Sequence, residues 1–449
     1  MIFQSLYSGS ATSGVYIKNS GSVLSRVFDG DTPMPGFGLT LAAYGETGDV
    51  NANGTVVFRA QATDGVTDGV YTGTAGGSPT IVGDENTTVP GVGFGFARFL
   101  TPVSIDADGK VVFIGSPSNN ISTFSLYLRD GSTISRLAGP GDAIFGKSET
   151  LTRVTNFAAL RNGNAAFLGT NTTSGSSGQG IYQIIGGIIT PLVDQDTSVP
   201  GGGATFQSYS MLSFDGDRAV FLAFDSSGKL GVYLFKDGAL TRIADTTTPV
   251  PGTSDPFLFF SGASIDGDRV VFHGVNSAGG IQGLYYYRIS DQILVKLIDE
   301  HDQLGGMGIR NLGGLAMQHN GLSGSRVGFP VFFDDQSQAI YVAKIDDNLS
   351  TGPKVTLDLG VGEAGEEVRI AVQLTNETSP PVGGLQMAVV TEHVGDAQFS
   401  GIEDHTNLPD FSVVVNEFTP GTVNFVVASD NKVDGSPWDH TGATCYFSL

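Results

Sequence analysis

Apolar and polar residues alternate along this chain in short runs separated by turns rich in Gly, Asn and Asp, the period-two pattern of β-strands. Residues 257–299 show the unit in full. Its four runs are a ("FLFFSGASI"), b ("RVVFHG"), c ("GLYYYRI") and d ("ILVKLID"). Run c recurs as a small or polar residue, an aliphatic and a tyrosine, at Tyr16, Tyr71, Tyr127, Tyr182, Tyr233, Tyr285 and Tyr341, with spacings of 55, 56, 55, 51, 52 and 56. A phenylalanine precedes each tyrosine by 12 to 15 residues: Phe3, Phe58, Phe113, Phe167, Phe221, Phe272 and Phe329. Repeated four-stranded antiparallel units of this period predict a seven-bladed β-propeller, in which ring closure protects the sheet edges. The first copy begins at b and the last stops after "AIYVAKIDD", so 26 strands stand where seven complete blades would have 28, and six or eight blades also fit.

Parity divides the loops between two sides, because antiparallel strands reverse at every turn. The a-to-b turns ("DADG" at 106, "RNGN" at 161, "DGD" at 215 and 266, "NANG" at 51) and the c-to-d turns are short. Asn, Asp and Gly suit tight hairpins there. An EF-hand calcium loop would continue to a glutamate at its twelfth position, and none of these copies supplies one. The d-to-a loops ("DGDTPMPG" at 29, "DENTTVPG" at 84, "DQDTSVPG" at 194, "DTTTPVPG" at 245) share the other side with b-to-c loops of variable length. Asp29, Asp31, Asp194 and Asp196 are the candidate ligand-binding residues, with calcium as the candidate cation; the competing reading is that they bond their own loops. Variable loops on a rigid scaffold place the expected binding face on this side.

Composition narrows the function. Gly (64) and Pro (19) are abundant and charged residues make up only 15%, which fits a turn-rich all-β class. A net charge of -22 disfavours nucleic acid and anionic membrane surfaces. Cys445 stands alone, so no intrachain disulfide forms. No run reaches transmembrane length, and "MIFQSLYSGSATSG" lacks the basic and apolar segments of an export signal, as a fragment or mature form of a longer precursor would. The six histidines form no HExxH or Cys/His cluster, and His273 reads as a packed strand residue. No GxSxG elbow occurs. Before residue 348 the glutamates are Glu46, Glu85, Glu149 and Glu300, so a glycosidase carboxylate pair would draw on aspartates.

The motif Asn51-x-x-Gly54-x-x-x-Phe58, echoed by Asp106-x-x-Gly109-x-x-x-Phe113, resembles the tandem NxxGxxxF repeat of secreted bacterial proteins grouped by varied C-terminal anchors. The resemblance covers residues 1–345 and implies an exported, extracellular or cell-surface protein. After Asp347 the period stops and "NLSTGPK" (348–354) reads as a linker. The segment from Val355 to the end resembles a cohesin-like jelly-roll β-sandwich in "GEAGEEV" (362–368), "GGLQMAV" (383–389) and "PGTVNFVVAS" (420–429). That family binds dockerin modules in cellulosomes; here "TEHVGDA" (391–397) stands where the family shows a "YDP" segment. Trp438 is the candidate partner-binding residue, with a packed loop position as the alternative.

These features predict a propeller (1–347) joined to a cohesin-like sandwich (355–449), with no catalytic residues and no membrane span. The expected role is non-enzymatic recognition of a protein or polysaccharide at the cell surface, with attachment or self-assembly through the C-terminal domain. A carbohydrate-active enzyme and a structural subunit of a surface layer or fibre are the alternatives.

Overall fold

The computed structural model describes residues 2–5, 14–18, 24–43, 48–172, 178–312 and 319–345, and, as backbone, strands between 354 and 448. Two compact units divide the chain, Met1–Ile345 and Asp346–Leu449.

The first unit is a β-propeller, a succession of antiparallel sheets in which strands a to d follow one another outward. Strands b, c and d alone form the first sheet (Ile2–Ser5, Gly14–Lys18, Leu24–Asp29). The second combines Leu41–Ala43 and Asp49–Val50 as a split strand a with Val56–Ala62, Asp68–Gly73 and Thr80–Asp84. Four strands each make the third (Arg98–Ala138), fourth (Leu151–Asp194), fifth (Phe206–Asp245) and sixth (Phe257–Asp299). The seventh holds Met307–Asn311, the hairpin strand Leu322–Ser323, Arg326–Phe333 and Gln338–Lys344. A first sheet starting at b and a last one ending at c are what the strand pattern predicts. The a strands of consecutive sheets pack side by side, which makes them the inner strands.

Every repeated phenylalanine is the direct cross-strand partner of its tyrosine, from Phe3↔Tyr16 through Phe329↔Tyr341. Direct partners on one sheet face pack side by side, and the ring centroids of Phe113/Tyr127, Phe167/Tyr182, Phe221/Tyr233 and Phe272/Tyr285 lie 5.5–5.7 Å apart. In the third, fifth and sixth sheets a phenylalanine at or just before the start of strand a (Phe96, Phe206, Phe257) stands edge-on to the tyrosine at 4.8–5.0 Å. This aromatic face packs on the aliphatic face of the preceding sheet: Val220, Leu222, Val232 and Leu234 of the fifth share a core with Phe257, Phe272 and Tyr285 of the sixth. The same pairing joins first to second, second to third, third to fourth and fourth to fifth. On the seventh sheet Ile340 and Val342 of the corresponding face are exposed.

The small residue before the aliphatic–tyrosine pair has a steric cause. A Cβ at Gly231 would lie 2.8 Å from the Tyr233 hydroxyl, and one at Gly283 2.8 Å from that of Tyr285, because each tyrosine folds back over the residue two before it. The aspartate ending strand d pairs with that glycine (Gly69↔Asp84, Gly180↔Asp194, Gly231↔Asp245, Gly283↔Asp299).

The second unit contains two antiparallel sheets. One orders Lys354–Leu357, Glu367–Thr375, Asp439–Ser448 and Gln398–Asp404, the other Gly384–Val390, Thr422–Ser429 and Phe411–Thr419. Within the segments expected as a strand (383–389) and a hairpin (420–429), the second sheet has the strands Gly384–Val390 and Thr422–Ser429. Trp438, residues 348–353 of the expected linker and the 391–397 segment lie outside the described residues.

Phe221 is fully buried, so Phe221→Ala should lower unfolding free energy by about 3–5 kcal/mol in urea titration. A loss below about 0.5 kcal/mol, the level of surface changes, would remove the repeated phenylalanine from the core. Gly231→Ala should cost about 1–3 kcal/mol by overpacking against the Tyr233 ring. Adding Tyr233→Leu to that variant should make the double mutant less destabilised than the two single effects summed, because the clash disappears.

Candidate recognition face

The d-to-a loops are rigid, and their aspartates make them so. Asp29 Oδ1 accepts from Asp31 N (3.2 Å) and Thr32 Oγ1 (3.0 Å), while Asp29 N donates to Thr32 Oγ1 (2.9 Å). The same reciprocal box joins Asp84 to Thr87, Asp194 to Thr197 and Asp245 to Thr248. A buried apolar anchor follows in each loop: Met34, Val89, Val199 and Val250. Of the four predicted ligand residues, Asp29 and Asp194 are buried and engaged by their own loops and by Arg26 (2.8 Å) and Lys147 (2.7 Å). The Arg26 guanidinium and the loop donors hold the Asp29 carboxyl below its ordinary range against the opposing effect of burial. Asp31 is exposed, and Asp196 reaches solvent while meeting Lys147 at 3.2 Å. Asp29 and Asp31 thus belong to one loop and Asp194 and Asp196 to another. Among the described residues no group of three or more His, Cys, Asp or Glu side chains is arranged to hold a metal ion.

The opposite side is closed by hydrogen bonds. The a-to-b turns bond their own backbone, as Asp106 Oδ1 does with the amides of Asp108 and Lys110. They also latch neighbouring sheets: Asn51 Nδ2 donates to Asp106 O (3.3 Å), Gly267 N to Asp215 Oδ2 (2.7 Å) and Gly324 N to Asp266 Oδ2 (2.6 Å). Deeper along the inner strands lies a polar hub. Asp49 Oδ2 accepts from Ser104 Oγ (2.9 Å), and Asp49 Oδ1 from Asn320 Nδ2 (2.7 Å) and Val50 N (2.7 Å). Leu160 N donates to Ser104 Oγ (3.2 Å), while Ser213 and Ser264 both donate to the carbonyl of His319. His319 and Asn320 therefore tie the second, fifth and sixth sheets together. Burial lowers the His319 pKa, with Arg161 acting the same way and Asp49 opposing. Sequence reasoning missed this hub; its signal is a small polar residue eight or nine positions before the repeated phenylalanine, at Asp49, Ser104, Ser213 and Ser264.

The loop side differs in chemistry. Large exposed apolar side chains are most numerous there: Val66 and Ile121 in b-to-c loops, Val92, Phe94 and Phe145 in d-to-a loops, and Leu258, Phe259 and Met307 at the start of a strands, against Ile185 and Ile188 at one c-to-d turn of the opposite side. Phe145 is 67% exposed and Phe94 58%, values at odds with a core role. Exposed arginines Arg98 and Arg310 stand on the same ends of the inner strands. The only carboxylates on the described inner strands, Asp49 and Asp266, belong to the opposite end.

The propeller belongs to the family described as "Family of unknown function (DUF7453)", whose model matches residues 50–303. No curated protein matches the chain in sequence. Similar solved structures include TolB from Acinetobacter baumannii (16% identity, TM-score 0.36), of which the chain spans 58% while 63% of the chain is covered. An oligogalacturonate lyase in complex with manganese is 11% identical at a TM-score of 0.42, covering 75% of this chain and 83% of the lyase. The β-propeller domain of the Trilobed protease from Pyrococcus furiosus is 11% identical at 0.40, covering 73% and 92%. These likenesses assign no activity to the chain. No helix among the described residues is long and apolar enough to cross a membrane.

His273, on strand b of the sixth sheet, is a packed residue as expected. Its Nδ1 bonds Ser261 Oγ at 2.7 Å, and its Nε2 is buried without a partner. Burial pushes its pKa down to about 4, with Gln282 beside it opposing. The unfolded chain, with an ordinary histidine near 6.5, then binds the proton more readily, so this contribution to stability is present above pH 6.5 and is lost as pH falls toward 4. His273→Asn should flatten the pH dependence of the urea midpoint across that window relative to wild type. Identical slopes in the two proteins would show that His273 protonates freely in the fold.

Proposed function

We propose that this chain is a non-enzymatic extracellular or cell-surface protein. In this reading a seven-bladed propeller presents its b-to-c and d-to-a loops to a protein or polysaccharide, and a cohesin-like sandwich at the C-terminus provides attachment or assembly. The observation that carries it is the asymmetry of the two sides, one latched by backbone and carboxylate hydrogen bonds, the other displaying Val66, Phe94, Ile121 and Phe145 on rigid loops. Exposed aromatic residues on a fixed scaffold are the usual anchors of recognition. Within the described inner strands that side carries Arg98, Arg310 and apolar groups, and the strands' own carboxylates, Asp49 and Asp266, lie at the other end. Localisation and the role of the C-terminal unit rest on the repeat and cohesin-like resemblances.

The test is binding and turnover on one panel of immobilised bacterial and plant polysaccharides and cell-envelope proteins. Wild type should be retained by at least one of them without releasing reducing or unsaturated ends. Phe94→Ala/Phe145→Ala should weaken that retention by about tenfold or more, the scale of one hot-spot aromatic, with an unchanged melting temperature. Time-dependent release of sugar ends by wild type would replace this reading with an enzymatic one.

A further inference from the structure

The repeats carry an internal comparison. In five sheets a loop carboxylate takes a cationic side chain: Arg26 on Asp29 (2.8 Å), Arg136 on Asp142 (2.9 Å), Lys147 on Asp194 (2.7 Å), Arg242 on Asp245 (2.7 Å) and Lys296 on Asp299 (3.2 Å). Four of these cations occupy one structural position, the d-strand residue paired with the repeated tyrosine (Tyr16↔Arg26, Tyr127↔Arg136, Tyr233↔Arg242, Tyr285↔Lys296). In the fourth sheet that position is Pro191, and Lys147 reaches in from the preceding loop instead.

In the second sheet the position is Ile81, paired with Tyr71, and none of the described residues replaces the cation. Asp84 is 1% exposed. Its Oδ1 accepts from Asn86 N (3.1 Å) and Thr87 Oγ1 (2.6 Å), but its Oδ2 is buried with no hydrogen-bond partner, as is the Tyr71 hydroxyl. A half-satisfied buried carboxylate is destabilising unless something completes it. The surroundings are acidic: burial raises the Glu85 carboxyl's pKa, and Asp64, Asp68 and Asp84 add to that shift. Asp68 already holds Arg59 at 2.7 Å. Beside these groups, in the two loops next to the second sheet, Val66, Val92 and Phe94 are exposed.

We propose that the second sheet carries a socket for an arginine or lysine side chain of a protein partner, which completes Asp84 Oδ2 as Arg242 completes Asp245. The flanking Val66, Val92 and Phe94 suit apolar neighbours of that basic residue, and the chain's net charge of -22 favours a cationic partner. This deepens the reading of the loop side as the recognition face and rests on it. Ile81, half-buried on the outermost strand, stands at the position from which Arg26, Arg242 and Lys296 reach the aspartates of their own sheets, and it is the side chain an incoming cation must displace.

The experiment measures calorimetric binding of the full chain to acetyl-Phe-Arg-Phe-amide and acetyl-Phe-Gln-Phe-amide. The arginine peptide should bind about tenfold tighter, the worth of one charge-assisted hydrogen bond. Ile81→Arg, which supplies the cation internally, should abolish that preference and raise the melting temperature, Asp84→Asn should abolish it, and Ile81→Ala should strengthen it. A preference that persists in Ile81→Arg overturns the proposal even if Asp84→Asn fails to fold. Equal binding of both peptides removes the socket and leaves the recognition face standing. Calcium-dependent stabilisation of wild type that vanishes in Ile81→Arg assigns the carboxylate to a metal ion and likewise overturns the proposal.

Discussion

The tyrosine of strand c, laid over the glycine two residues before it and against the phenylalanine of strand b, is the contact on which the rest of the propeller depends. It gives one face of each sheet an aromatic surface that fits the aliphatic face of the sheet before it. In five sheets it also fixes the end of strand d, because the aspartate there is the cross-strand partner of that glycine. Burying rings of this size contributes about 2–3 kcal/mol each in transfer free energy, and repetition around the ring multiplies the effect. Adding a Cβ to the glycine would force ring and backbone apart, so the loops inherit their position from a packing contact well beneath them.

Polar groups then divide the two sides. Where short turns meet, donors and acceptors are spent on neighbouring sheets and on the Asp49–Ser104 and His319 hub, leaving that end closed. Where long loops meet, four of them satisfy their own backbone through an Asp–Thr box and a buried apolar anchor, and the loop of Phe145 does so through Gly139 N on Asp142 Oδ2 (2.8 Å) with Ile144 buried, which leaves the tips to carry exposed Phe94 and Phe145. Rigidity without burial of the tips suits recognition, because little ordering entropy remains to be lost on binding.

The second sheet shows how a repeat exposes its own exceptions. Ile81 is an unremarkable strand residue when read alone. Against Arg26, Arg136, Arg242 and Lys296 it marks the place where the fold's usual counter-charge is missing, and the orphaned Asp84 oxygen is the physical consequence. Pro191 is a similar exception with a different outcome, since Lys147 compensates from another loop.

Much of the propeller was legible in the chain itself. Period-two alternation, turn residues tolerant of positive φ and the Phe/Tyr spacing determine the repeated four-stranded antiparallel unit, its hairpin turns and which loops share a side, because these follow from local backbone geometry and strand parity. His273 as a packed residue and the turn role of Asp106 were readable for the same reason. The candidate site was less so. Asp29, Asp31, Asp194 and Asp196 could be located on the loop side, but spacing does not reveal that Asp29 and Asp194 are engaged by Arg26 and Lys147. Nor does it show that Asp49 meets Asn320, 271 positions away. Those contacts, the exposure of Ile340 and Val342, and the unpaired Asp84 oxygen were decided only by the tertiary structure, since they depend on which side chains from separate repeats arrive at the same few ångströms and with what charge.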